Sequence, residues 1–369
     1  MANFVDYVEW RGDLSFESSP FNEIDALILC QITYLNYDGL LPQSDFKKTI
    51  TIKELSDIFF ATPDFETRSD TGMLINKLSV DLLKKVAQTV RFGSIPVTGY
   101  SSIIDLKKEE QFAAITYLIE KKHFFVSFRG TDDTVVGWKE DCNLAILDEV
   151  PSQIDAALYL TQAASNLKGK IYVGGHSKGG NLAVYACAKV DEKIKNRIEK
   201  IYNNDGPGFT EKRLASQEFY QIIPKVYSYY PQLSIVGMLF RHKGPFQIVE
   251  SDESGVMQHD PFSWHIKGKS FVQVKKFDRA SKFFYESFNK WIEILPKQDR
   301  TIFIETLFEL IHSTGAKTNS EIKANLLKNS VKIVAARRKL SPDSRKLMTE
   351  VLKSLFHIVQ EDLPSISEL

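Results

Sequence analysis

Cysteine is scarce: three residues in 369, Cys30, Cys142 and Cys187. That number and spacing exclude a disulfide framework and a cysteine-ligated metal cluster. A charge surplus is missing as well, because 47 Lys+Arg balance 47 Asp+Glu. Without a basic excess the chain has no overall field for a polyanion, which argues against nucleic acid as a partner. No apolar run approaches the ~18 residues of a membrane-spanning helix. The start, "MANFVDYVEWRGD", lacks the basic segment, apolar run and small-residue cleavage site of a signal peptide. A cytoplasmic protein is therefore expected. Internal repeats and low-complexity linkers are absent too.

Aromatic residues are plentiful, with 25 Phe and 14 Tyr in a chain that is 43% hydrophobic. That supply suits a large core or an apolar substrate groove. The first 95 residues read as mainly helical. Ile24, Leu27, Ile28, Ile32 and Leu35 approach a helical stripe, and Leu74, Leu78, Leu82 and Val86 form another. Neither carries a site motif, so packing is their expected role.

From about Phe112 the rhythm changes to short β-branched or aromatic runs: "FAAITYLIE", "HFFVSF", "KIYVGG", "IEKIYNND" and "KVYSYY". The first two meet at Lys121–Lys122, as in a hairpin. "FQIVES" and "SFVQVKKF" are candidates to extend the sheet. Helix-like stretches separate the later runs, and that alternation predicts a mostly parallel sheet with helices on both faces. After Asp278 the pattern is helical again. Asp278, the Thr318/Glu321 pair and Ser341-Pro342 are start signals. The last stripe runs through Leu347, Val351, Leu355 and Ile358. "ARRK" (336–339) reads as a solvated helix end, with an anionic-lipid contact as the alternative.

The chemistry concentrates in "YVGGHSKGGNLA" (172–183). Gly175-His176-Ser177-Lys178-Gly179 fits G-x-S-x-G, with a strand leading in and a helix leading out. Such a turn holds its apex serine exposed, and Gly175 and Gly179 let the backbones pass closely. The alternative is a structural glycine turn. The backbone N–H of Lys178, at the helix N-terminus, is a candidate oxyanion donor. Upstream, Phe128-Arg129-Gly130-Thr131 ends a strand, and the Thr131 N–H is the second candidate, with its hydroxyl as a further donor. Asp141 is placed to order that loop, and Arg129 reads as an internal salt bridge.

"VSFRGTDD…GWKEDCNLA" followed by "VGGHSKGGNLA" resembles the lipase class 3 branch of the α/β-hydrolases. The chain looks closest to an uncharacterised bacterial lipase-like family that also carries "DGPGF", "SIVGML" and "QHDPFSW", here Asp205–Phe209, Ser234–Leu239 and Gln258–Trp264. The opening "YVEWRGDLSFESSPFNEIDALIL" is similar to that family's start, and the likeness runs to about residue 275. It implies an α/β-hydrolase fold and acyl-ester hydrolysis by a serine nucleophile, with no cofactor and no metal. The substrate it implies is a small acyl ester or lipid. A transient membrane-surface contact and the oligomeric state stay open. The expected organisation is a helical region over 1–95, an α/β-hydrolase core over 96–277 and a helical region over 278–369.

In α/β-hydrolases the order is Ser, acid, His. His259 is the candidate base, since it lies between predicted strands and matches the family motif; His242, His265, His312 and His357 are the other histidines after Ser177. For the acid, "VYSYYPQLSIVG" holds no carboxylate where class 3 lipases usually carry one, and Ser234 falls near the expected site. Asp205, ending "IEKIYNND" before a tight "GPG" turn, is the leading candidate. Asp252, Asp260 and a mere turn-capping role for Asp205 are the alternatives. A catalytically silent hydrolase fold used for binding or regulation is the competing functional reading.

Overall fold

Short runs of buried, mostly apolar residues build the sheet. In the computed structural model, which describes residues 1–120 and 122–362 (backbone alone from 354), the strands follow chain order. They are β1 (Ile50–Thr51), β2 (Pro96–Asp105), β3 (Glu110–Glu120), β4 (His123–Phe128), β5 (Lys170–His176), β6 (Ile198–Asn204), β7 (Val226–Pro231), β8 (Phe246–Val249), β9 (Ile266–Lys267), β10 (Ser270–Phe271) and β11 (Gln273–Val274). β1 to β8 lie side by side in order, and β11 closes the far edge. From β4 to β8 every neighbouring pair is parallel. β1 to β4 pair antiparallel, as does β11 on β8, while β9 and β10 form a separate hairpin. Lys121 lies outside the described residues, and Glu120 pairs with His123 across it.

Both faces are covered. On β4, Phe124, Val126 and Phe128 enter one apolar cluster, and Phe125 enters the other, as the two-residue period of a strand requires. The helix Glu23–Ile32 packs over β4, β5 and β6 on one face. Pro151–Asn166 and Lys178–Lys189 pack on the other. This is the expected mostly parallel sheet with helices on both faces, with helical segments before and after it.

Two local expectations change. The sequence rhythm marked no strand before Phe112, yet β2 begins at Pro96. Its register shifts between Thr98 and Ser101, where Gly99 takes a φ of 65°, so no clean alternation exists to read. The stripe from Leu74 starts late: the helix spans Leu78–Ala87, and Leu74 lies outside it, exposed. In the tail, Thr318 accepts from the Glu321 N–H at 3.1 Å, whereas Asp278 precedes its helix without a side-chain cap. The side chains of Leu355, His357 and Ile358 lie outside the described residues. Among the described residues no helix is long and apolar enough to cross a membrane.

Candidate active site

Parallel register brings several strand ends to one edge. Phe128 pairs with Gly175, His176 with Asn204, and Asn204 with Tyr229. Ser177 and Asp205 are the residues immediately after β5 and β6, so they emerge side by side at the carboxyl edge. Ser177 has φ 59° and ψ −134°, a conformation that costs a non-glycine residue about 1–3 kcal/mol. Two glycines make that turn fit. A Cβ on Gly175 would strike the backbone of Gly179, and one on Gly179 would strike the Phe128 carbonyl.

Asp205 is fully buried, also at positive φ, 51°. Its Oδ2 lies 2.6 Å from His259 Nδ1, and its Oδ1 accepts from the Ser234 hydroxyl at 2.5 Å. The turn after β6 is capped by a different residue, because Asn203 Oδ1 accepts from the Gly206 N–H at 3.1 Å. A carboxylate can only accept from an N–H here, so Nδ1 of His259 carries the proton and Nε2 is left as the basic nitrogen. His259 and Ser177 line the same cavity, although the Ser177 hydroxyl makes no hydrogen bond to a described residue.

The other carboxylates and histidines go elsewhere. Asp260 accepts from Asn76 Nδ2 at 2.6 Å and from the Phe262 N–H at 3.0 Å. Asp252 lies at the surface, 2.6 Å from His265 Nε2 and 3.3 Å from the N-terminal amine. His242 Nδ1 meets the Tyr230 hydroxyl at 2.7 Å, and burial pulls its pKa down to about 4. His312 ends a tail helix, exposed.

Sequence reasoning missed one histidine's part in the site. His176, next to the serine and buried, has Nε2 2.9 Å from the backbone carbonyl of His259. That carbonyl can only accept, so Nε2 donates and Nδ1 is free to accept from the Tyr34 hydroxyl at 3.0 Å. Burial holds His176 well below the usual histidine range, so the ring stays neutral. The contacts span 142 and 83 residues of chain, and no local pattern announces them.

Behind the serine, the buried Lys178 ammonium donates to the Gln111 carbonyl, Gln111 Oε1 and Glu140 Oε2, each at 2.9 Å. Its side chain is thus tied into the core while its amide begins the helix. The Thr131 hydroxyl donates to Asp141 Oδ2 at 2.6 Å, which leaves the Thr131 amide rather than its hydroxyl for a ligand. Burial pushes the Asp141 carboxyl up to about 6. Arg129 pairs with Asp132 at 3.1 Å. Neither the Thr131 nor the Lys178 N–H has a partner among the described residues.

The cavity holding Ser177, His259, Thr131 and Lys178 measures about 420 Å³. Its walls are largely apolar, with Leu74, Ile75, Trp138, Leu144, Val236 and Leu239 among them. The segment read as packing helix, Met73–Asn76, is therefore part of the cavity wall. No cluster of three or more His, Cys, Asp or Glu side chains among the described residues is arranged to hold a metal ion.

A family model described as Mbeg1-like matches residues 86–309. The chain belongs to the Mbeg1-like family. No protein of curated function matches it in sequence. Among solved structures, a mutant form of MDLA from Penicillium cyclopium is similar over 69% of this chain and 87% of that one, at 15% identity and a TM-score of 0.40. A fungal lipase in complex with an inhibitor is similar over 54% of this chain and 77% of its own, at 13% identity and a TM-score of 0.35.

Proposed function

We propose that this Mbeg1-like protein is a serine hydrolase that cleaves acyl esters with an apolar, lipid-like acyl part. The observation that carries the reading is the 2.6 Å contact between Asp205 Oδ2 and His259 Nδ1, because it fixes the tautomer of a histidine sharing a cavity with a strained serine. In this mechanism His259 Nε2 takes the Ser177 proton as Oγ attacks the acyl carbonyl. The Thr131 and Lys178 amides receive the oxyanion, and Asp205 stabilises the imidazolium. His259 then protonates the leaving alkoxide, and a water activated by the same nitrogen releases the acid. Ser234 keeps Asp205 oriented. His176 acts as a positioning residue, holding the His259 backbone from below while Tyr34 holds His176.

The apolar walls support an acyl chain as the group bound, and about 420 Å³ falls within the usual ~300–1,000 Å³ of small-ligand sites. Free, buried Cys30 and Cys187 support a reducing compartment, the cytoplasm. We keep the division at residues 95 and 277 as part of the same proposal.

One observation favours a second reading, a silent hydrolase fold that binds rather than cleaves: the Ser177 hydroxyl is not joined to His259. Such bonds often tighten only with substrate present. A panel of p-nitrophenyl esters of graded chain length separates the readings. Hydrolysis that disappears in Ser177→Ala and His259→Ala is expected; a folded native protein inert on every ester supports the silent binder.

A further inference from the structure

The helix Leu326–Lys339 turns apolar side chains outward. Leu327 is 87% exposed, Val331 71% and Val334 52%. Their spacing, four and then three residues, puts them on one stripe of a helix about 21 Å long. The segment itself is cationic, between Glu321 and Asp343. From Ile322 to Pro342 the chain holds six basic residues, Lys323, Lys328, Lys332, Arg337, Arg338 and Lys339, and no acid, although charges cancel over the whole sequence. Lys332 is occupied, donating to the Thr314 carbonyl. The other five form no ion pair among the described residues. On the helical projection Lys328 and Lys339 flank the stripe on one side and Arg337 on the other.

This element is rooted beside the cavity. Asp133 Oδ1 accepts from the Met73 N–H at 3.2 Å, and Oδ2 accepts from the Ser320 N–H at 3.1 Å. Met73 lines the cavity and is 49% exposed. One carboxylate therefore ties the cavity lip to the segment leading into the cationic helix.

We propose that Leu326–Lys339 docks on an anionic lipid surface. Leu327, Val331 and Val334 enter the headgroup boundary, and the flanking lysines and arginines extend along it to lipid phosphates. Charge complementarity and the apolar stripe together select this occupant. Nucleic acid would pair the cations but leave the stripe in water. A second copy packed on this face would bring the two cationic runs together and repel. The proposal concerns binding and does not depend on Ser177 being a nucleophile.

Flotation of the full chain with vesicles tests it. Binding is expected to phosphatidylcholine vesicles carrying phosphatidylglycerol, to weaken with added salt, and to be absent on phosphatidylcholine alone. Arg337→Gln, Arg338→Gln and Lys339→Gln combined should weaken binding about a hundredfold, at about fivefold per charge. Leu327→Gln should weaken it about tenfold. Unchanged circular dichroism and an unchanged urea-unfolding midpoint mark both variants as folded. Equal binding to both vesicle types, or full binding by the triple variant, overturns the proposal. So does a dimer that Leu327→Gln dissolves, or DNA that displaces the vesicles and binds Leu327→Gln undiminished.

Discussion

At the carboxyl edge of the sheet Asp205 is fully buried with both oxygens engaged, and His176, Lys178 and Ser234 are buried with named partners. On Leu326–Lys339 four apolar side chains, Leu326, Leu327, Val331 and Val334, are more than half exposed, and four cations, Lys328, Arg337, Arg338 and Lys339, form no ion pair among the described residues. The two regions divide the work that side chains do. In the first, every polar atom withdrawn from water needs a partner, since an unpaired one costs about 1–3 kcal/mol, and the partners fix geometry. In the second, no described residue covers the exposed stripe, and that is the surface the lipid-docking proposal uses.

Substitutions can break or sharpen that contrast. The largest effect belongs to Ser177→Ala, expected to remove ester turnover by at least about 10⁴-fold with the unfolding midpoint unchanged, read by steady-state kinetics and urea titration. Asp205→Asn follows, at about 10³–10⁴-fold in kcat, because an amide presents a donor and favours the wrong imidazole tautomer. Asp252→Asn and Asp260→Asn should stay within about twofold, since both carboxylates are bound elsewhere. Lys178→Met moves the effect from rate to stability. It strands the fully buried Glu140 carboxylate, at about 3–5 kcal/mol by urea unfolding.

His176→Ala should lower kcat about tenfold with little change in KM, and His176→Gln should restore most of it, since an amide N–H can replace the imidazole donor. The pair also carries a pH signature. The unfolded chain binds a proton on His176 near pH 6.5, while folded His176, held well below that, does not. The unfolded state therefore gains protons as pH falls below 6.5, and stability drops with it. His176→Gln should make that slope shallower, by up to about 1.4 kcal/mol per pH unit, leaving the His242 contribution of the same sign. Smallest of all, Leu327→Gln should shift stability by no more than about 0.5 kcal/mol, because the side chain is 87% exposed already.

Features with a local cause were legible in the sequence. A strand, two glycines and a helix define the Ser177 turn within a dozen residues, and short β-branched or aromatic runs marked β3 to β7. Features made by distant partners were not. Nothing near Tyr34 announces His176, and nothing near Met73 announces Asp133 or a cavity wall. β2 escaped for a different reason, since Pro96, Gly99 and its register shift erase the period that reveals a strand. Asp205 sat between the two kinds. Its place at the end of β6 was readable, but the contact that sets it apart from Asp252 and Asp260 is with His259, 54 residues away.

Labelling with a fluorophosphonate probe, mapped by peptide mass spectrometry, tests the central claim most directly. The account predicts one adduct on Ser177, absent in Ser177→Ala and slowed at least about a hundredfold in His259→Ala and Asp205→Asn. A folded native protein that takes up no probe, or an Asp205→Asn variant that labels as fast as the native chain, contradicts it.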